Sequence, residues 1–150
     1  MTGETARDPG GNTERNRRLL TDAFEGLRTG DPSRFLPLFA GDVSWKVMGT
    51  SAWSKEAHGL EAVERDLVAP LFARFSGPYC NIPELVLADG DRVVVLARGH
   101  AVTTEGDTYA NDYCFVFRLR DGQIVEVREY MDGKLADAVL GVGPRPSPVG

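Results

Sequence analysis

The amino-acid sequence predicts an α+β fold in which helices cover one face of a curved, largely antiparallel sheet. Two observations carry that expectation. Apolar residues in the first half of the chain recur mostly at helical spacing, as in "TERNRRLLTDAFEGLRTGD" and "GLEAVERDLVAPLFARF". From residue 80 onward, four strand-like runs follow one another with only short turn signals, "TEGD" and "RDGQ", between the last three.

The elements follow in order. Residues 1–12 and the tail 143–150, "GPRPSPVG", are rich in Gly and Pro and are expected to lack order, which leaves one domain over 13–142. Leu19, Leu20, Ala23, Phe24 and Leu27 fall on one face of a first helix that stops at Gly30. "DPSRFLPLF" offers Asp31 as N-cap and Pro32 as first helical residue of a second helix, kept short by Pro37. "DVSWKVM" alternates Val43, Trp45 and Val47 with polar residues and reads as a strand. Val63, Leu67, Leu71 and Phe75 repeat every four positions along a third helix, which His58 begins and which is kinked or interrupted near Pro70. Strands follow at 80–88, 91–103, 108–120 and 123–132, and "KLADAVL" forms a short last helix, with Tyr130 and Asp132 serving its turn and cap.

Composition bounds the function. At 150 residues, 42% hydrophobic and 26% charged, the chain has the make-up of an ordinary soluble domain. A formal charge of −5, with no basic cluster beyond "RNRR", argues against nucleic acid as a partner. The opening "MTGETARDPGGN" carries Glu4 and Asp8 and no apolar core, so it reads as neither signal nor transit peptide, and a cytoplasmic location is expected. No apolar run approaches the roughly 18 residues of a membrane span. Cys80 and Cys114 lack metal-ligand spacing, and neither metal nor organic cofactor is expected.

The informative stretch is "IVEVREYMD". In a strand, Val125, Val127, Glu129 and Met131 share one face, so an acid lies in register with apolar neighbours on the side expected to be buried. Turn chemistry suggests what surrounds it. A two-residue turn in "TEGD" pairs Val102 with Tyr109, His100 with Asn111 and Arg98 with Tyr113. A three-residue loop, Arg120–Gly122, pairs Val125 with Phe117, Val127 with Phe115 and Glu129 with Tyr113, apolar against apolar. A polar row, Arg98, Tyr113 and Glu129, then crosses the sheet beside His100, Asn111 and Met131. It lies at one end of an apolar floor made by Val94, Leu96, Phe115 and Phe117. That is the make-up of a small-molecule pocket. The choice of face stays open on β-strand grounds, because Val93, Val95, Ala97 and Ala101 are apolar too and suit a dimer contact.

The order of elements, with "FAGDVSWKVMGTSAW…HGLEAV" and "TTEGDTYANDYCFVFRLRDGQIVEVREYMD", resembles the nuclear-transport-factor-2-like superfamily, in particular its SnoaL-like branch, over about residues 14–140. The resemblance implies a cone-shaped barrel of sheet wrapped around three N-terminal helices, with a short C-terminal helix, a deep pocket, and homodimerisation through the outer sheet face. It implies a cyclase or isomerase of the polyketide-cyclase or ketosteroid-isomerase kind, needing no cofactor and acting on a hydrophobic polyketide-like or terpenoid-like molecule. The cyclases' acid/base carboxylate falls on Glu129. The epoxide hydrolases' Arg-x-Asp pair becomes Leu96 and Arg98, so their second carboxylate is missing. The base, tyrosine and protonated aspartate of ketosteroid isomerase fall near Val47, Ala23 and Phe115, so that chemistry is absent in its known form.

The candidate catalytic residues are therefore Glu129 as proton carrier, Arg98 and His100. Arg98 either positions an anionic oxygen or merely neutralises Glu129. His100 relays protons or sits as a core or rim histidine. Trp45, Trp53, Tyr109, Asn111, Tyr113, Phe115 and Met131 are the candidate ligand-binding residues, with Tyr113 and Asn111 able to donate to a developing oxyanion. Besides catalysis, the same pattern suits a dimeric binding protein that holds an apolar ligand unchanged, or a protein-interaction scaffold.

Overall fold

The structure, a computed structural model, describes residues 11–141. The termini expected to lack order lie outside the described residues, except that Gly11 and Asn12 already belong to the first helix. That helix, α1 (Gly11–Leu27), buries Leu20, Ala23, Phe24 and Leu27, the stripe its spacing predicts. Gly30, at φ 84°, ends it. The second helix shrinks. The Asp31 carboxylate accepts the Ser33 backbone N–H at 3.0 Å, closing a local turn, and only one 3-10 turn, Leu36–Leu38, forms before strand β1 (Phe39–Val47) begins.

A strand that the sequence does not signal comes next. β2 (Glu56–His58) is too short to show alternation, and His58 ends it, exposed, instead of opening a helix. The third helix is α2 (Leu60–Val63), a π-helical turn (Glu64–Val68) and α3 (Ala69–Phe72) in succession. The widened turn lies ahead of Pro70, whose nitrogen has no proton to give the Asp66 carbonyl. The interruption anticipated at Pro70 takes this form.

Strands β3 (Cys80–Asp89), β4 (Arg92–Val102), β5 (Thr108–Arg120) and β6 (Gln123–Met131) complete a six-stranded sheet in the order β2-β1-β6-β5-β4-β3, with β1 and β6 parallel and all other neighbours antiparallel. Helix α4 (Gly133–Leu140) closes the cone, and Asp132 caps it by accepting the Leu135 N–H at 3.1 Å. The core lies between α1 and the concave sheet face, where Leu20 and Phe24 meet Val93, Phe117 and Val127.

Both hairpins close differently from the expectation, with opposite consequences. Between β4 and β5, Asp107 and Thr103 exchange bonds around a three-residue loop with Gly106 at φ 90°: the Thr103 N–H donates to the Asp107 carbonyl at 2.8 Å. Ala101 therefore pairs with Tyr109, Gly99 with Asn111 and Ala97 with Tyr113, one residue from the predicted register. A one-residue slip turns every side chain over. Val93, Val95, Ala97 and Ala101 point inward and are buried, whereas Leu96 and Val102 are exposed on the outer face.

Between β5 and β6 the turn is the two-residue one, Asp121 and Gly122, both at positive φ. Leu119 then pairs with Ile124 but Arg118 with Glu126, so Val125 is an extra, bulged residue. Turn and bulge together displace the predicted register by two, which preserves the face. Glu129 looks inward as expected, opposite Phe115 rather than Tyr113.

Candidate functional site

The concave face and the helices enclose a cavity of about 370 Å³, lined almost entirely by apolar and aromatic side chains. That size is within the range of ordinary ligand pockets. Of the residues expected to line it, Trp45, Trp53, Tyr109, Tyr113, Phe115 and Met131 do, together with Glu129. Trp53 is held in the wall: its indole N–H donates to the Gly141 carbonyl at 2.9 Å, and Arg74 lies over its ring at 5.4 Å. Leu36 and Phe72, each 51% exposed, stand at the rim.

Arg98 and His100 are not in the cavity. The slipped register places both on the outer face, where Arg98 pairs with Asp112 at 3.3 Å and His100 is exposed opposite Cys80. The expected Arg98–Glu129 contact does not exist. Asn111 is buried yet does not line the cavity; it ties the end of β6 to β5.

Glu129 is thus an acid without a cation. Its hydrogen-bond partner is the Trp45 indole N–H, at 3.0 Å from Oε1. Part of the side chain remains accessible, but what it reaches is the hollow itself, and protein surrounds the carboxyl on its other sides. Burial pushes its pKa up to about 7, with the Trp45 bond opposing weakly. At neutral pH the group is poised between acid and base.

Near it, tyrosine hydroxyls form a chain. Asn111 Oδ1 accepts the Asp132 backbone N–H at 3.1 Å, which fixes the amide's orientation. Its Nδ2 then donates to the Asp132 carbonyl at 3.1 Å and to Tyr109 Oη at 2.8 Å. Tyr109 Oη and Tyr113 Oη share a hydrogen bond of 2.7 Å in which either can donate, and Tyr113 also bonds the Tyr79 hydroxyl. Burial raises the pKa of all three hydroxyls at this end, those of Tyr79, Tyr109 and Tyr113, and keeps them protonated donors.

Gly99 makes room for this cluster. A Cβ on Gly99 would lie 2.6 Å from a Tyr113 ring carbon and 3.0 Å from the Tyr79 hydroxyl. Gly99→Ala is therefore expected to displace both tyrosines and cost about 1–3 kcal/mol, read as a lower denaturant midpoint.

The lining residues that escaped the sequence reading include Lys55, Tyr79 and Asn81. Lys55 lies just ahead of β2 and joins the inward row because the pairing of β2 with β1 continues into the Val47–Lys55 backbone bond. Tyr79 and Asn81 flank the start of β3, where alternation has not begun.

A cone of sheet closed by helices over an apolar hollow, with a buried acid in its wall, has the make-up of a small-molecule pocket. The chain belongs to the SnoaL-like domain family, whose profile matches residues 20–127 and ends just short of Glu129. Solved structures share the fold. Bal32a, from a soil-derived mobile gene cassette, is 23% identical at a TM-score of 0.74, covering 87% of this chain and 99% of its own. A protein described as a SnoaL-like polyketide cyclase, from Jannaschia sp. CCS1, is 19% identical at 0.71, covering 90% and 97%. TerC, co-crystallised with polyporic acid, is 21% identical at 0.70, covering 84% and 98%. At these identities the likeness is one of fold. No curated protein matches the sequence. Among the described residues no helix is long and apolar enough to cross a membrane, and no cluster of His, Cys, Asp and Glu could hold a metal ion.

Proposed function

We propose that the protein is an enzyme of the cyclase or isomerase type, which moves a proton next to a carbonyl of a small hydrophobic molecule. The observation that carries this reading is Glu129, a carboxyl in an apolar cavity with an indole N–H and no cation as partner, titrating near the pH at which it would work. The relatives' descriptions, a polyketide cyclase and a protein crystallised with polyporic acid, agree with a small organic substrate.

In the proposed step, ionised Glu129 takes the proton α to a carbonyl. The C–H electron pair moves into the carbonyl, and the enolate oxygen accepts a hydrogen bond from Tyr113, whose buried, protonated hydroxyl belongs to a residue of the cavity wall. Protonated Glu129 returns the proton to another carbon, which isomerises the substrate. Alternatively the enolate carbon attacks a second carbonyl of the same molecule, whose π electrons move onto its oxygen and take the proton back from Glu129, which closes a ring and regenerates the ionised acid. No external reductant or oxidant enters.

The test uses an apolar ketone, 2-tetralone, in deuterated water. The expected result is protein-dependent exchange of its α-protons, seen by NMR, with a rate rising as pH passes through about 7 because the base must be ionised. Glu129→Gln should reduce exchange to background and Tyr113→Phe should slow it by ten- to a hundredfold. Exchange that survives in Glu129→Gln would remove the acid from the mechanism.

A further inference from the structure

The sheet places two charged residues, not one, on its inward face. Lys46 pairs with Glu56 and Trp45 with Ala57, and the Val47 N–H donates to the Lys55 carbonyl at 2.8 Å. Val47 in turn pairs with Glu129. Since cross-strand partners share a face, Lys55, Val47 and Glu129 form one row looking into the cavity. Lys55 and Glu129 are separated by one strand, so their backbones are roughly 10 Å apart.

They are nevertheless not an ion pair. Burial and the Trp45 indole are what act on the Glu129 carboxyl; Lys55 is not among the influences. The Lys55 ammonium reaches the other way, to the Asp66 carbonyl at 3.5 Å. That carbonyl is available because Pro70 has no N–H to offer it. A long bond to a neutral oxygen leaves an ammonium with donors to spare.

Lys55 is half-buried and is the cation among the residues lining the cavity. The other charged lining groups are Glu64, Asp66 and Glu129. Glu64 is exposed to solvent, and the Asp66 carboxylate is bonded by Arg65 at 2.9 and 3.1 Å, with the Lys55 charge acting on it more weakly than Arg65 does. Between Lys55 and the tyrosines the wall is apolar. The cavity thus has two poles, a proton-transfer pole at Glu129 and Tyr113 and a cationic pole at Lys55.

We infer that Lys55 is a ligand-binding residue and that the molecule this pocket accepts is a flat, apolar acid: its ionised carboxyl or acidic hydroxyl lies on the Lys55 ammonium and its reacting carbon beneath Glu129. This deepens the function proposed above and rests on it for the step at Glu129, while the binding itself depends on Lys55 alone. A backbone spacing of roughly 10 Å between the two poles is on the scale of a small fused-ring acid.

Three rigid probes of one shape test the assignment by calorimetry at pH 6, where Glu129 is protonated: 2-naphthoate, the neutral 2-naphthamide and the cationic 2-naphthylmethylamine. The expected result is that the full-length protein binds naphthoate at least tenfold more tightly than the amide and the amine. Lys55→Gln should bring naphthoate and amide within about twofold of each other by weakening naphthoate, and Lys55→Arg should keep the preference. A melting temperature close to the parent's shows that the variant is folded. Equal binding of naphthoate and amide to the parent protein, a preference that survives in Lys55→Gln, tightest binding of the amine, or binding of none of the three overturns the inference. A naphthoate preference without α-proton exchange would sink the proposed reaction alone; exchange without the preference would sink the role of Lys55 alone.

Discussion

Glu129→Gln is expected to stabilise the protein at alkaline pH while abolishing the proposed proton transfer. The carboxyl has a pKa of about 7 in the folded chain against 4.5 for the free group. Between those values the native state holds a proton that the unfolded state has released, so stability falls as pH rises from about 4.5 through 7 and stays low above it. At roughly 1.4 kcal/mol per pKa unit, the cost at pH 8.5 is on the order of 3 kcal/mol. Glutamine keeps the oxygen that accepts the Trp45 indole N–H and carries no charge to desolvate. The variant should melt on the order of 5–10 °C higher than the parent at pH 8.5, and close to it at pH 5. Melting curves at the two pH values check this, and equal stability at pH 8.5 would mean that the acid is solvated in the folded protein. A destabilising acid retained at such a position is what a stability–activity trade-off leaves behind.

Asn111→Ala is expected to be the most damaging single change in the sheet. The side chain holds both backbone groups of Asp132 and the Tyr109 hydroxyl. Truncation orphans the Asp132 N–H, at about 1–3 kcal/mol, and removes one of two bonds from the Asp132 carbonyl, which also accepts the Ala136 N–H, and from the Tyr109 hydroxyl, which keeps Tyr113, at about 0.5–1.5 kcal/mol each. A loss of about 3 kcal/mol or more should appear in urea unfolding, with faster amide exchange in α4, because Asp132 is also the cap of that helix. Asn111→Asp separates architecture from chemistry. The new carboxylate still accepts the Asp132 N–H, but it cannot donate to Tyr109 and instead draws the Tyr109 proton to itself. Tyr113 must then donate to Tyr109, away from the cavity, and the exchange of ketone α-protons should fall at least tenfold. Asn111→Ala unfolding at the parent's midpoint would show that Asp132 is held by something else.

The helical stripe of α1, the strands and the inward face of β6 were readable in the sequence, because burial imposes a period on each of them. Phase between neighbouring strands was less so. "TEGD" accommodates either a two- or a three-residue loop, and the choice depends on Gly106 taking up a left-handed conformation and on Thr103 bonding Asp107. One residue of slack there moved Arg98 and His100 from the cavity to the outer face. A slip of two at "RDGQ", split between the tight turn and the Val125 bulge, left Glu129 where parity put it. Lys55 was illegible for another reason: it lies just before a three-residue strand too short to display alternation, and only the pairing of that strand with β1 and the Val47–Lys55 backbone bond show which way the lysine looks.

The hollow has a consequence for how its guest can be found. Rings that line the hollow, such as Trp45, Tyr113 and Phe115, gain dispersion contacts with any compound that packs against them. A compound that fits therefore raises, by mass action, the temperature at which the chain unravels. Heat resistance of the protein is in that sense a gauge of occupancy, and a library of organic acids can be sorted by it before any reaction is known.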